Sequence, residues 1–438
     1  MSRSKATVRQ RTWGSYGHFL NHRQALSHCG GFLYYDTRNA DPDIAKTTRI
    51  ESLDLADDTV RVIYDTYSLS ANGPGVGAVV CHPLRSTVLF IHGLAHCNDH
   101  YPYSMTRRFG AWASLDPRNP VCKIQALEGR GLQSKLPWGS LGGGTHAHSF
   151  SKEGNWVSFT YNDAMHPERR SVGFAYVDGW DSDHGEKNAE SPSKYEDEFQ
   201  GRGWAALALI PEDPILCARE ECWVQGQVDG KAYMALAMIV SVQSSQSIQP
   251  PVDEIYLAEF PSDAKRWPND LSGQMACRSG AGSWRLEPPP GIRCRRLTNT
   301  QASEYPGIAG PRHWLIASGC GRWIVALKKD SKGVVRLIRV SVQDGQTEWI
   351  SGNRQSITHP PAIDPNGGRL TYLVSKRLTI LDLYSCQETQ VEWDTQGFSE
   401  VTGPVQFLPG EQGVFWNARP SGSPWLQIWT ASLEPLRR

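Results

Sequence analysis

Three stretches of the chain share one pattern and decide its fold: HAHSFSKEGNWVSFT (146–160), HWLIASGCGRWIVAL (313–327) and HPPAIDPNGGRLTYL (359–373). Each has apolar alternation, a turn that ends in glycine and a second apolar stretch, which is typical of a β-hairpin. Other copies follow the same frame, namely HRQALSHCGGFLYYD (22–36), GAVVCHPLRSTVLFI (77–91) and GPVQFLPGEQGVFW (403–416). The chain is therefore built from a repeat, and units of a repeat pack mainly on their neighbours.

A third strand follows several hairpins, as in VVRLIRVSVQDGQTEWI (334–350) and RLTILDLYSCQETQVEW (377–393). Three or four antiparallel strands in units of roughly 40 residues are typical of a β-propeller. We predict an all-β propeller that spans 1–438 as a single domain, with seven blades around a central channel and six or eight as alternatives. The predicted blades lie near 22–67, 77–127, 146–190, 204–262, 311–350, 357–393 and 401–433, with loop-like insertions near 183–201 and 263–294.

Composition excludes several classes of function. The 45 basic and 45 acidic residues cancel, so no global field draws in nucleic acid or an anionic membrane. No apolar run is long enough for a signal peptide or a membrane span, and we expect a cytoplasmic protein without membrane insertion. Ten cysteines without a CxxC pair argue against a zinc knuckle and a disulfide scaffold. No dinucleotide fingerprint or P-loop occurs, so we expect no nucleotide or flavin cofactor.

Histidines recur at one position of the repeat. Four of them stand eight residues before the turn glycine of their hairpin: His22, His146, His313 and His359. The first strand of each propeller blade lines the channel, so equivalent positions lie at the same end of it. His92 and His166 end second strands and should lie at that end as well. His148 follows His146 by two residues, which predicts the same strand face.

Converging neutral imidazoles suit a divalent transition metal of the Mn, Fe or Zn class. The predicted metal ligands are His22, His146, His313 and His359, with His92 and Asp163 as additional candidates. For any one of these histidines, a turn residue or a hydrogen-bonded structural role is the alternative. Arg312 could fork onto a carboxylate or form a surface salt bridge, and Asp163 could orient an imidazole or cap a turn.

The motifs GGTHAHSFSKEGNWVSFTYND (143–163), FIHG (90–93) and RRLTNTQASEYPGIAGPRHW (295–314) resemble the uncharacterised bacterial YidR-like family, often described as TolB-like. This resemblance spans most of the chain and implies a TolB-type propeller, but the family has no established activity. A weaker likeness connects the chain to propeller-fold polysaccharide lyases such as oligogalacturonate lyases. That likeness implies metal-binding or catalytic roles for His146, His313 and His359, whereas Gly77 and Gly403 depart from a complete ring.

Two functions follow. The first is a lyase that cleaves a uronic-acid-containing oligosaccharide by β-elimination, a reaction that needs a base for the C5 proton and a cation beside the carboxylate. A bound metal or Arg312 would supply the cation, His166 or His148 the base, and Tyr161 the acid. The alternative is a non-catalytic TolB-like propeller that binds a protein or peptide partner at the same end. We expect no nucleic-acid partner in either case.

Overall fold

The computed structural model of the protein describes residues 2–66, 70, 72–115, 124–131, 136–180, 196–228, 230–243, 250–280, 283–411 and 413–434. The regular secondary structure of these residues is almost entirely β-strand. The helical pieces among them are short: 3-10 turns at Asp41–Lys46, Ala264–Arg266 and Pro409–Glu411, and α1 at Trp267–Asp270. No helix of the described residues is long and apolar enough to cross a membrane.

Five four-stranded antiparallel sheets follow one another after β1 (Ser2–Gln10). The first two are β2 (Phe19–Leu20), β3 (Phe32–Asp36), β4 (Arg49–Asp54) and β5 (Val60–Asp65), then β6 (Val76–Cys81), β7 (Thr87–Gly93), β8 (Arg108–Ser114) and β9 (Gln125–Ala126). After the short pair β10 (Gly129–Arg130) and β11 (Ser140–Leu141) comes the third sheet, with β12 (Gly143–Phe150), β13 (Trp156–Asp163), β14 (Arg170–Tyr176) and β15 (Trp204–Leu207).

The fourth sheet joins β16 (Ile215–Val228), β17 (Lys231–Val242) and β18 (Val252–Glu259) to β21 (Arg293–Arg296), and the hairpin β19 (Cys277–Gly280) and β20 (Ser283–Leu286) lies between them in sequence. The fifth contains β22 (Ile316–Ala317), β23 (Trp323–Lys329), β24 (Val335–Ser341) and β25 (Thr347–Trp349). The remaining strands are β26 (Ala362–Ile363), β27 (Arg369–Val374), β28 (Arg377–Asp382), β29 (Glu388–Trp393), β30 (Phe398–Phe407), β31 (Gly413–Pro420) and β32 (Gln427–Leu433).

These last strands form one eight-stranded sheet in the order β26-β27-β28-β29-β1-β32-β31-β30. It consists of two four-stranded halves, and β1 belongs to the second because it pairs antiparallel with β32. On its other side, β1 pairs in parallel with β29. The first strand of the chain thus completes the last sheet and ties it to its neighbour, a closure that the hairpin repeat alone did not predict.

Apolar side chains close the sheets into a ring. The described residues form seven buried apolar clusters, and each lies between two consecutive four-stranded units. One of them packs Leu33 and Tyr35 of the first unit against Phe415 and Ile428 of the last. A central cavity of about 760 Å³ is lined by residues at the first strand of every unit. The predicted all-β propeller class is confirmed by this architecture.

The outer strands differ from the predicted blade limits. Trp204–Leu207, placed by the sequence in the fourth blade, pairs with Arg170–Tyr176 and completes the third sheet. The fourth sheet is completed by Arg293–Arg296 and not by a strand before 262. Long segments separate both outer strands from the strands that they join, so the spacing of the repeat does not reveal them.

The predicted insertion 263–294 contains short helices and a hairpin, and it covers the core with apolar side chains. Trp267 is buried against Trp156 and Phe174, between the third and fourth sheets. Most of the other predicted insertion, 183–201, lies outside the described residues, which resume at 196.

Closure through β1 can be tested with one substitution. Val8 packs on the apolar cluster between the last two units, whereas the neighbouring Thr7 is exposed on the opposite face. We expect Val8→Asp to lower the free energy of unfolding by about 2 kcal/mol or more, because a charge is forced against apolar surface. Thr7→Asp is the matched control, and urea unfolding measures both. Equal effects of the two substitutions would contradict the assigned role of β1.

Candidate functional site

The four histidines in register lie within or next to the first strand of their unit, toward one end of the channel. His146 is in β12, His22 follows β2, and His313 and His359 precede β22 and β26. We call this end of the channel the histidine end. The other end, formed by the hairpin turns that contain Gly30, Gly154, Gly321 and Gly367, is called the turn end.

Two of these imidazoles are held by hydrogen bonds through both ring nitrogens. His313 Nδ1 lies 2.9 Å from the Pro311 carbonyl oxygen, and its Nε2 accepts the Leu327 N–H at 3.1 Å. His359 Nδ1 lies 2.9 Å from the Thr358 hydroxyl, and its Nε2 lies 3.1 Å from the Val401 carbonyl oxygen. A metal ligand needs a free lone pair on one ring nitrogen, and neither ring offers one here.

His22 and His146 have free nitrogen atoms. The buried Nδ1 of each has no hydrogen-bond partner. Burial lowers the pKa of His22 to about 4, and burial lowers that of His146 well below the ordinary range, with further lowering by Arg108, Arg170 and Arg312. Both imidazoles are therefore neutral at pH 7.

The residues present do not fit the predicted metal. Among the described residues, no group of three or more His, Cys, Asp or Glu side chains is arranged to hold a metal ion. In His313 and His359, hydrogen bonds involve both ring nitrogens, so neither imidazole has a free lone pair for a metal ion. His146, whose buried Nδ1 has no hydrogen-bond partner, has three guanidinium groups as electrostatic neighbours, and these would repel a divalent cation. The four-histidine metal site is not formed.

His92, the additional candidate metal ligand, also has both ring nitrogens within hydrogen-bond distance of other groups. Its Nε2 lies 2.8 Å from the Tyr64 hydroxyl, its Nδ1 2.5 Å from the Gly93 carbonyl oxygen, and only 1 % of its surface is exposed. Asp163 accepts the Tyr161 hydroxyl at 2.9 Å and the backbone N–H groups of Met165 and His166. Asp163 therefore caps a turn, which is one of its two predicted roles.

The predicted acid and bases are not brought together. Tyr161 is buried in the core between the second and third sheets and donates to Asp163, so its hydroxyl does not face the channel. His166 lies in the loop between β13 and β14, with its Nδ1 3.5 Å from Glu168. Its role as a base stays a prediction.

His148 does not share the face of His146, contrary to the alternation predicted from the sequence. A bulge interrupts β12 between His146 and Ser149, where Ala147 has a φ of 57°. The bulge turns His148 into the seam between the second and third sheets, where it is fully buried and its Nε2 lies 3.1 Å from the Thr145 hydroxyl.

Two arginines at this end were missed by the sequence reasoning. Arg108 begins β8 and is 7 % exposed, and its Nη1 donates to the Tyr103 hydroxyl at 3.1 Å while its Nε has no partner. Arg170 begins β14, is half-buried, and has the Met105 sulfur 3.1 Å from its Nη2. Within the described part of the chain, neither has a carboxylate at ion-pair distance. Third strands start at the same end of the channel as first strands, so the register of the repeat also predicts that Arg108 and Arg170 lie at the histidine end.

Arg312 already has carboxylate partners. Its Nε lies 2.9 Å from Glu220 and its Nη1 3.3 Å from Asp41, and its guanidinium stacks over Trp314 at 4.8 Å. The predicted salt bridge is therefore present, although half of the side chain remains exposed. Burial raises the pKa of Glu220, and the guanidinium groups of Arg219 and Arg312 oppose this rise.

Another ion pair crosses the channel. Arg23, from the first unit, donates to the Ala147 carbonyl oxygen at 2.7 Å and to the Glu221 carboxylate at 2.9 Å. Glu221 is fully buried and also accepts the hydroxyls of Ser158 and Thr160, at 3.2 and 3.1 Å. Arg23 forms part of the cavity wall, next to His22.

The site thus belongs to a propeller whose histidine end carries unpaired guanidinium groups around a neutral imidazole. Residues 75–177, which include His146, Arg108 and Arg170, match the family described as Protein of unknown function (DUF3748). The chain is 28 % identical over 425 residues to the uncharacterised protein YidR of Escherichia coli (strain K12), covering 93 % of this chain and 94 % of YidR. The resemblance to the YidR-like family is confirmed.

Two solved structures support the fold. An oligogalacturonate lyase in complex with manganese aligns with a TM-score of 0.54 at 8 % identity, over 99 % of both chains. The oligogalacturonate lyase of Vibrio parahaemolyticus aligns with a TM-score of 0.50 at 8 % identity, over 98 % of this chain and 94 % of that chain. At this identity the likeness establishes a shared propeller fold.

The buried neutral histidines predict a sensitivity to acid. Burial lowers the pKa of His92 and of His313 to about 4, whereas an unfolded histidine titrates near 6.5. The unfolded chain therefore takes up protons first as the pH falls, so the stability that these groups contribute above pH ~6.5 is lost between about 6.5 and 4. We expect the titration of each histidine to lower the free energy of unfolding by roughly 2 kcal/mol at pH 5.

Urea unfolding at pH 7.5 and pH 5 measures this loss, and His92→Gln should make the difference between the two pH values smaller. The exposed His100 supplies the matched control, since His100→Gln should leave the difference unchanged. A pH response of the His92 variant equal to that of the unaltered protein would contradict this assignment.

Proposed function

We propose that the protein is a lyase that cleaves a uronic-acid-containing oligosaccharide by β-elimination at the histidine end, with arginines in place of a metal. The observation that carries this proposal is the pair of Arg108 and Arg170, buried or half-buried guanidinium groups that lie beside the neutral His146 and have no carboxylate at ion-pair distance among the described residues. Burial of a guanidinium group without an anionic partner costs free energy, and a ligand carboxylate would supply that partner.

In this proposal, Arg108 and Arg170 bind the uronate carboxylate and stabilise the negative charge that develops when C5 loses its proton. His146 is the base that takes the proton, through a ring nitrogen that is unprotonated at pH 7. The C4–O bond then breaks, a C4–C5 double bond forms, and the leaving oxygen takes a proton from water. Binding of a carboxylate also cancels part of the arginine charge, which raises the basicity of His146 in the complex.

Arg312 lies at the exposed side of this group and contacts Glu220 and Asp41. We assign to it the contact with a neighbouring sugar residue of the oligosaccharide, because its half-exposed guanidinium can reach solvent without leaving its partners. Manganese in the similar oligogalacturonate lyase is a property of that protein. The donor set of the residues that the structure describes supports no step through a metal.

The test is absorbance from the new unsaturated bond on a panel of oligosaccharides of galacturonate, glucuronate and neutral sugars, after dialysis against EDTA. We expect turnover of one uronate class, unchanged by EDTA within about twofold, and none of the neutral sugars. His146→Gln should lower kcat by about 100-fold or more, because the base is removed. Arg170→Gln should raise KM by about 10- to 100-fold through loss of a charge-assisted hydrogen bond.

Arg295→Gln is the matched control, since Arg295 is a partly buried arginine paired with Glu259 on the outer part of the fourth sheet. Its kinetics should equal those of the unaltered protein. EDTA-sensitive turnover, or turnover that survives His146→Gln and Arg170→Gln, would refute the arginine mechanism.

A second candidate is favoured by the surface around the same end. Tyr101, Met105 and Met165 are exposed there by 59, 46 and 76 %, and Met105 contacts Arg170. Exposed apolar side chains beside unpaired arginines are also what a non-catalytic propeller offers to an acidic protein or peptide partner. The same uronate panel separates the two functions, because a partner-binding propeller shows neither turnover nor saturable uronate binding.

A further inference from the structure

A buried carboxyl group beside the proposed site has no part in the chemistry above. Glu128 follows β9 in the segment between the second and third sheets and is 1 % exposed. The Gly110 N–H donates to both of its oxygens, at 3.1 Å to Oε1 and 3.3 Å to Oε2. The Thr145 hydroxyl donates to Oε1 as well. One carboxyl group thus joins a backbone group of β8 to a side chain of β12.

These two contacts lie next to the residues of the proposed site. Gly110 is two residues beyond Arg108 on β8, and Thr145 directly precedes His146 on β12. The two strands belong to different sheets, so no strand-to-strand hydrogen bonds of one sheet fix their spacing. The contact through Glu128 is therefore placed where it can set the distance between the Arg108 guanidinium and the His146 ring.

Little room exists for adjustment at this contact. A Cβ added at Gly110 would lie 2.8 Å from His148 Nε2 and 3.1 Å from Glu128 Oε2. His148 lies on the other side of Thr145, with 3.1 Å between its Nε2 and the Thr145 oxygen. Because the single hydroxyl proton of Thr145 is given to Glu128, His148 Nε2–H must be the donor in that second bond. Donors from both strands therefore converge on the Glu128 carboxyl group: the Thr145 hydroxyl, which itself accepts from His148, and the Gly110 N–H.

A stabilising role alone does not account for this group. Burial raises the pKa of Glu128 to about 7, so a charge at this place costs free energy of folding. An apolar residue would fill the seam without that cost, whereas a carboxyl group accepts three hydrogen bonds in defined directions.

We propose that Glu128 is a positioning residue, which holds the strand of Arg108 against the strand of His146 and so sets the geometry of the carboxylate site. The inference rests on the proposed function for its consequence in catalysis, but its structural part stands by itself. Glu128 touches no substrate, and its effect reaches the reaction through Arg108 and His146.

The variants for the test are Glu128→Gln and Glu128→Ala. Glutamine keeps one oxygen, which can still accept from both the Thr145 hydroxyl and the Gly110 N–H, but its amide nitrogen removes the second acceptor of the Gly110 N–H; alanine loses both contacts. Glu254→Gln is the matched control. Glu254 is equally buried and accepts from Thr298, Thr300 and Arg296 in the outer part of the fourth sheet, away from the proposed site.

Two readouts are measured on each full-length variant. The first is the histidine ring spectrum of selectively labelled protein by NMR, with the His146 signal assigned by its loss in His146→Gln. The second is KM and kcat on the uronate substrate. We expect Glu128→Ala to shift the His146 signal and to raise KM by about tenfold or more through misplaced Arg108, with a smaller change for Glu128→Gln. Glu254→Gln should change neither.

The outcomes separate this inference from the proposed function. A shifted His146 signal without any uronate turnover in the unaltered protein supports the positioning role and overturns the lyase. An unchanged His146 signal in both Glu128 variants overturns the positioning role, whatever the turnover. Equal shifts in the Glu128 and Glu254 variants also overturn it, because they show a general response to loss of a buried carboxyl group. If Glu128→Ala does not fold, Glu128→Gln decides by the same criteria.

Discussion

The ion pair between Arg23 and Glu221 is the interaction on which the interior of this propeller depends. It joins the first unit to the third and fourth across the channel, through Ala147 and through the carboxylate of Glu221. A buried carboxylate is tolerated only when its acceptor positions are filled, and Ser158 and Thr160 fill them. Removal of Arg23 would leave the Glu221 carboxylate buried without its ion-pair partner.

The two ends of the channel differ in their chemistry. At the histidine end lie the guanidinium groups of Arg108, Arg170 and Arg312 around His146. Toward the turn end, the cavity wall is mostly uncharged and contains the prolines Pro83, Pro365 and Pro409. An anion that enters from the histidine end therefore meets positive charge at once, which favours binding at that mouth.

The sequence predicted the fold better than the site. Hairpin turns repeat at fixed spacing, so the propeller and the shared end of His22, His146, His313 and His359 followed from register alone. The role of each imidazole did not follow, because it depends on hydrogen bonds to other strands. The Leu327 N–H donates to His313 Nε2, and the Val401 carbonyl oxygen lies beside His359 Nε2. The bulge at Ala147, which separates His148 from His146, has no marker in the sequence. The position of Arg108 and Arg170 at the start of third strands, by contrast, is visible in the sequence and predicts that they lie at the histidine end.

In the proposed lyase, the use of arginine in place of a metal has a physical basis in this arrangement. β-Elimination beside a carboxylate requires positive charge at the carboxylate, and the reaction does not require that this charge come from a metal ion. A metal site needs several free lone pairs, whereas the Leu327 N–H and the Thr358 hydroxyl occupy those of His313 and His359. Arg108, whose Nε has no hydrogen-bond partner, and the half-buried Arg170 can supply the positive charge instead. Under this proposal, the arginines act on the carboxylate only if their strands are held as closely as the contacts of Glu128 hold them.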